Sequence, residues 1–153
     1  MNNNLEQEQE IRDAIEQWRS ALEARDLDSM MTDYTPDVIL YDAIPPYKSV
    51  GVAAIRQAWE SCMPHLPDFK SVHRDLTITV TEDMAVVHGL HNFETAEPHP
   101  CSQSWIRITV CYRRIDGRWK VFHEHVSLPF NPMDNQAWPI TDPDSLTMPN
   151  YGD

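Results

Sequence analysis

The hydrophobic period of this chain changes once, from helical in the first half to strand-like in the second, and that order constrains the fold more than any single motif. Ile11, Ala14, Ile15, Trp18, Ala21 and Leu22 recur at helical spacing with Glu and Gln opposite them, predicting a long amphipathic helix from Leu5 to near Arg25. Asp26-Leu27-Asp28 offers an N-cap to a short second helix carrying Met30, Met31 and Tyr34, which Pro36 stops. Val38 to Tyr41 reads as a strand leading into Asp42, and Ile44-Pro45-Pro46 as an extended loop. Gly51 to about Met63 is the third predicted helix, with Ala54, Ile55, Ala58 and Trp59 on its apolar face. Beyond the Pro64 to Pro67 loop the period becomes two. Val72, Leu76, Ile78 and Val80 alternate with polar residues up to the Thr81-Glu82-Asp83 turn, and Ala85 to about Thr95 follows. Gln103 to Ile115 and Arg118 to Leu128 then flank Asp116-Gly117, a dipeptide suited to a tight hairpin. Helices first and antiparallel strands afterwards is an α+β order, with three N-terminal helices laid on a curved, mainly antiparallel sheet.

With 153 residues, 41% of them apolar, the chain fits one globular domain. That domain is expected over residues 1–128. Pro129, Pro132, Pro139, Pro143 and Pro149 mark residues 129–153 as an irregular tail, in which Phe130 or Trp138 is placed to cap a pocket. Asp plus Glu number 24 against 12 for Lys plus Arg, a net charge of −12, which has the wrong sign for a phosphate-backbone binder. No stretch approaches the roughly 20 apolar residues that cross a bilayer, and Met1-Asn2-Asn3-Asn4 does not start a signal peptide. A soluble, cytoplasmic protein is expected, binding neither nucleic acid nor membrane. Cys62, Cys101 and Cys111 form no CxxC and read as packing residues in a reducing compartment.

Alternation sorts the candidate functional residues onto faces. Trp105, Arg107, Thr109 and Cys111 share one side of their strand, and Trp119, Val121, His123, His125 and Ser127 share one side of the last. If helices cover these mixed faces, Arg107, Thr109, His125 and Ser127 lie in an aromatic-walled pocket of the kind that holds small molecules; otherwise they form a solvated face. Asp42 shares a side with Val38 and Leu40, so desolvation makes it a candidate general base, while its place before a Pro-rich loop equally suits a turn-initiating Asp. His123-Glu124-His125 admits a metal reading, but no third ligand stands at a metal-site spacing, and paired structural or pocket histidines are preferred, with no metal assigned. His88 and His91 point to opposite faces. His73, beside Asp75 and Thr77 on a polar face, either pairs with Glu23 or Asp26 from the helical layer or lies at the surface. Trp18 and Trp59 on their apolar helix faces read first as core.

Taken together, Trp18, Ala24 to Asp28, Tyr34-Thr35-Pro36-Asp37-Val38, Gly51 to Arg56 and Asp116 to Val121 resemble, in order and spacing, the SnoaL-like, ketosteroid isomerase-like branch of the nuclear transport factor 2-like superfamily over roughly residues 8–128. The resemblance implies a conical α+β fold around a deep pocket, commonly as a homodimer packed through the outer sheet face. It implies Asp42 as general base, since Tyr34 and Asp42 keep the spacing of the isomerases. Two departures stand out: Trp18 occupies the position of the family's oxyanion tyrosine, and Thr109 to Cys111, where a protonated Asp belongs, holds no acid. His73 resembles the family's dehydratase histidine, with Glu23 in place of the helical Asp. The resulting expectation is an isomerase, cyclase or dehydratase that needs no cofactor and acts on a small hydrophobic carbonyl compound. Asp42 is the base, Arg107, His125 and Trp18 stabilise an oxyanion, and Tyr34, Trp59, His73, Trp105, Thr109, His123 and Ser127 shape the site. The alternative is a binding or association module that keeps the fold without chemistry.

Overall fold

The computed structural model describes residues 3–151, so Met1-Asn2 of the polar start and the last two residues of the tail lie outside the described residues. Three α-helices come early: α1 (Asn3–Glu23), α2 (Leu27–Met31) and α3 (Val52–Cys62). The strands are β1 (Tyr34–Tyr41), β2 (Lys48–Val50), β3 (Lys70–Val80), β4 (Met84–Glu94), β5 (Ile106–Ile115) and β6 (Arg118–Ser127). They form one six-stranded sheet in the order β2-β1-β6-β5-β4-β3, antiparallel except where β1 runs parallel to β6. The architecture is α+β, with the helices packed on one face of a curved sheet.

Local chemistry accounts for most of these elements. On α1, Ile11, Ala21 and Leu22 are buried, and Ala14, Ile15 and Trp18 pack beside them, as the helical spacing requires. Asp26 caps α2 by accepting the Ser29 amide. Gly51 opens α3 at φ 89°, a left-handed conformation in which a Cβ would stand 3.3 Å from the Pro36 carbonyl oxygen. Asp116 and Gly117 join β5 to β6 with φ 52° and 78°, the positive pair a tight hairpin turn demands.

Tyr34 departs from the sequence reading: it opens β1 instead of extending α2. The Val121 amide donates to the Asp33 carbonyl at 2.7 Å and draws the chain into the sheet there. Pro36 follows inside the strand, where β1 slips register with β6 between Tyr34 and Ile39, so its missing N–H breaks no ladder bond. The short strand β2 was not legible in the sequence.

Two β-bulges re-aim side chains. On β3 an extra residue lies between Arg74 and Thr77, with Asp75 at φ 56° and Gly89 opposite on β4. On β6, Val121 pairs with Tyr112 and His123 with Cys111, leaving Phe122 unopposed. Beyond each bulge the inward row shifts by one residue. Leu76 therefore joins His73 on the inner side of β3, and Glu124 and Val126 join Trp119 and Val121 on the inner side of β6.

Among the described residues of the tail, none lines the interior cavity. Ile140 bridges to Trp105, Phe130 to Ala137, and Asp144 pairs with Arg74. Phe130 is 61% exposed, and neither it nor Trp138 reaches the interior cavity.

Candidate active site

A cavity of about 420 Å³ opens between the helices and the inner face of the sheet. Ile106, Ile108 and Val110 on β5 and Val126 on β6 supply much of its apolar wall, and Trp18 and Trp59 face it from α1 and α3. The two indoles meet edge to face with centroids 6.3 Å apart.

Polar groups enter this wall at few points. Asp42 follows directly after β1, on the same side as buried Val38 and Leu40, and lines the cavity beside Ala43 and Ile44. Its Oδ1 accepts the Ala43 amide at 2.7 Å. Burial raises its carboxyl above the usual aspartate range, while the amides of Ala43 and Ile44 work against that rise. Asp42 is thus at once the turn-initiating residue and a cavity wall. Glu124 projects from β6, level with Leu40 on β1, onto the same surface. The Tyr34 hydroxyl donates to its Oε1 at 2.7 Å. Burial, with the nearby Asp42 carboxylate adding to it, pushes Glu124 up to about 7 against the pull of that hydrogen bond. Tyr34 is raised well above its usual range by burial and then by the Glu124 charge. The Trp18 Nε1–H, on the same wall, is buried and makes no hydrogen bond of normal geometry, but it faces the Tyr34 hydroxyl closely enough to oppose the rise in that group's proton affinity.

A second polar corner lies at the α1–β3 seam. His91 Nε2 shares a 2.6 Å hydrogen bond with Ser71 Oγ, and the His73 ring lies 4.9 Å from that of His91. Burial, followed by the Arg19 charge, lowers His73 to about 4; burial and the neighbouring His73 lower His91 to about 3. Both imidazoles are neutral at pH 7. Glu23 does not pair with His73: its Oε1 accepts from the Ser71 amide at 2.8 Å and from Arg19 at 2.6 Å.

The sequence model of the SnoaL-like domain matches residues 11–131. This protein belongs to the SnoaL-like family. No curated protein matches this SnoaL-like chain. Among solved structures it is similar to a nuclear transport factor 2-like protein of unknown function from Pseudomonas putida, at 32% identity and a TM-score of 0.81, covering 91% of this chain and 98% of that one. A candidate dehydratase of the same superfamily from Streptomyces avermitilis shares 19% identity and a TM-score of 0.65 over 78% and 93% of the two chains. A candidate ketosteroid isomerase from Parabacteroides distasonis shares 22% identity and a TM-score of 0.61 over 78% and 87%. The latter two likenesses show the fold.

Within the SnoaL-like fold, Asp42, Trp18, Tyr34, Trp59 and His73 all border the cavity, and Thr109 touches it between Ile108 and Val110 although it belongs to the outer row of β5. The positions expected for Arg107 and His125 are corrected: both are exposed and neither borders the cavity. Ser127 pairs with Arg107 and His125 with Thr109 across the outer rows of β5 and β6. His123 hydrogen-bonds the Ile39 carbonyl at 2.8 Å and, like His125, packs against the Tyr41 ring. Trp105 is held by the tail at Ile140, away from the cavity. His73 does not share a face with Asp75 and Thr77, because the β3 bulge intervenes. Sequence reasoning missed Glu124 and His91. The signal for Glu124 was an acid in the same alternating row as Val126.

Proposed function

We propose that this SnoaL-like protein is a proton-transfer enzyme for a small hydrophobic carbonyl compound, acting in the cytoplasm with acid and base both drawn from the chain and no cofactor. The observation that carries the reading is that Asp42 and Glu124 border one mostly apolar cavity, where burial raises both carboxyls, Glu124 to about 7, while the amides of Ala43 and Ile44 oppose the rise at Asp42. Two carboxyls whose surroundings separate their proton affinities divide naturally into a base and an acid.

Asp42, in its carboxylate form, takes the proton from carbon beside the carbonyl, and the C–H electron pair becomes the C=C bond of an enolate. The Trp18 N–H and protonated Glu124 donate to the enolate oxygen. Tyr34, bonded to Oε1, holds Glu124 in place. Returning the proton to another carbon completes an isomerisation; loss of a β-hydroxyl completes a dehydration. Trp18 thus takes over a task that the sequence reading shared with Arg107 and His125.

The deciding experiment follows deuterium wash-in at the enolisable carbons of 4-phenylbutan-2-one by NMR. Catalysed exchange is expected from the wild type, and Asp42→Asn is expected to lower it at least about 100-fold with an unchanged melting temperature. Retained exchange in that variant removes Asp42 as base. Binding without any exchange in the wild type supports the second reading, a non-catalytic small-molecule binder, which the Asp42–Ala43 turn bond favours. The proposal extends to a homodimer packed through the outer sheet face, where Tyr41, His123 and His125 stack; sedimentation at monomer mass overturns that extension.

A further inference from the structure

The carboxylates of the cavity wall have almost no positive charge to answer them. Among the described residues no Lys or Arg side chain borders the cavity, whereas Asp33, Asp42 and Glu124 do. Asp33 is already engaged by Arg118 at 2.6 Å. Arg19, at the seam beside His73, is committed to Glu16, Glu23 and the Ser71 carbonyl. His73 and His91, at about 4 and 3, stay neutral at pH 7. The negative charge is felt across the space. Burial first and the Asp42 charge second hold the Cys62 thiol up, and burial followed by the Glu124 and Asp33 charges raises Tyr112. With the chain at −12, the interior is a region of negative potential walled by apolar surface.

Glu124 is the carboxylate placed to receive a cation. The Tyr34 hydroxyl donates to its Oε1 at 2.7 Å, and the Trp18 Nε1–H faces that hydroxyl. These donors run in one direction, from indole through phenol to carboxylate, and so support its ionised form. No donor among the described residues reaches Oε2, on a side chain that borders the cavity. Rings form the neighbouring wall from α1, α3 and β4. Trp18, Trp59, His91 and Phe93 all border the same space, with the indoles 6.3 Å apart and Phe93 6.5 Å from Trp59 and 4.8 Å from His91. Aromatic faces present the negative side of their quadrupole and attract cations.

We infer that the cavity binds a hydrophobic amine in its ammonium form, the charged nitrogen donating to Glu124 Oε2 between the Asp42 carboxylate and the aromatic wall, and the apolar body filling the rest of about 420 Å³. An ammonium leaving water needs a paired charge, and the two carboxylates and the rings supply what an apolar pocket alone does not. A neutral molecule of the same shape leaves the carboxylates unpaired, and a carboxylate adds to their repulsion. The bound ammonium keeps Glu124 ionised, so binding releases the proton that the free protein holds there about half of the time at pH 7. Glu124 then has no proton to give to an enolate, and the amine competes with a carbonyl compound for the cavity. The inference goes beyond the proton-transfer reading and does not depend on it, because binding alone reads it.

Calorimetric titration tests the inference with three probes of one shape: 4-phenylbutan-1-amine, 4-phenylbutan-1-ol and 4-phenylbutanoate. At pH 7 the amine is expected to bind the wild type at least about tenfold more tightly than the alcohol, with the carboxylate weakest. Titration of the amine in phosphate and in HEPES, whose ionisation enthalpies differ, is expected to show about half a proton released for each amine bound. In Glu124→Gln the preference for the amine and the proton release should both fall severalfold, while the alcohol binds as before. An alcohol that binds the wild type as tightly as the amine overturns the inference, as does amine binding that releases no proton. A preference that survives Glu124→Gln unchanged marks attraction to the acidic surface of the chain and overturns it too. Absence of deuterium exchange in the wild type removes the proton-transfer reading and leaves these results standing.

Discussion

The Tyr34 hydroxyl and Glu124 Oε1 meet at 2.7 Å inside the cavity, although 90 positions separate them in the chain. The contact joins the first residue of β1 to the inward row of β6, and it is the one hydrogen bond holding the Glu124 carboxyl among the described residues.

Tyr34→Phe removes that donor and leaves an ionised Glu124 buried without a partner. The Glu124 proton affinity then rises further. The variant is expected to lose about 1–3 kcal/mol of stability at pH 8 and clearly less at pH 5, where Glu124 is already protonated. Denaturant unfolding at the two pH values reads the difference, and an equal loss at both contradicts the charge-based account.

Stability against pH follows from the signs of the shifts. Glu124 holds its proton more tightly in the folded chain, with a value of about 7 against 4.5 unfolded, so its contribution is full below pH 4.5 and is lost as pH rises through 7. His73 and His91 act in the opposite sense. Their values of about 4 and 3 against 6.5 mean that the unfolded chain binds protons first, so acidification below pH 6.5 destabilises the fold. Relative to wild type, Glu124→Gln is therefore expected to gain stability as pH rises from 4.5 to 8, by on the order of 3 kcal/mol. Thermal melts of both proteins across that range check the slope.

Gly89 is the residue the β3 bulge leans on. A Cβ there comes within 2.8 Å of Leu76 Cδ2 and 2.9 Å of the Arg74 carbonyl oxygen, and the carbonyl belongs to backbone that cannot turn aside. Gly89→Ala is expected to cost about 1–3 kcal/mol. Because the bulge aligns Leu76 with His73, affinity for 4-phenylbutan-2-one should fall with it, as titration would show. A variant of wild-type stability refutes the role assigned to the bulge.

Arg107 lies exposed on the outer row of β5. Arg107→Ala is expected to leave deuterium exchange within about twofold of wild type, in contrast to Asp42→Asn. A loss comparable to that of Asp42→Asn returns Arg107 to the site.

Much of the architecture was legible because it depends on the chain's own local periodicity. The α1 face of Ile11, Trp18 and Leu22, the Asp116-Gly117 turn and the inward run Val38, Leu40, Asp42 all rest on neighbours in sequence. Tyr34 was misassigned to a helix because a backbone bond from distant Val121 to Asp33, and not local propensity, decides where α2 ends.

The sequence by itself determined the α+β order, the resemblance to the SnoaL-like family and the location of Asp42 at the end of an apolar strand. Only the tertiary structure decided which face of the sheet the helices cover, and so that Glu124 lines the cavity while Arg107 and His125 stay outside. A bulge is a property of two paired strands: Phe122 is surplus only against Tyr112 and Cys111, and Asp75 only against Gly89. One strand read alone keeps its period of two through such a residue, whereas the pairing shifts everything beyond it to the other side.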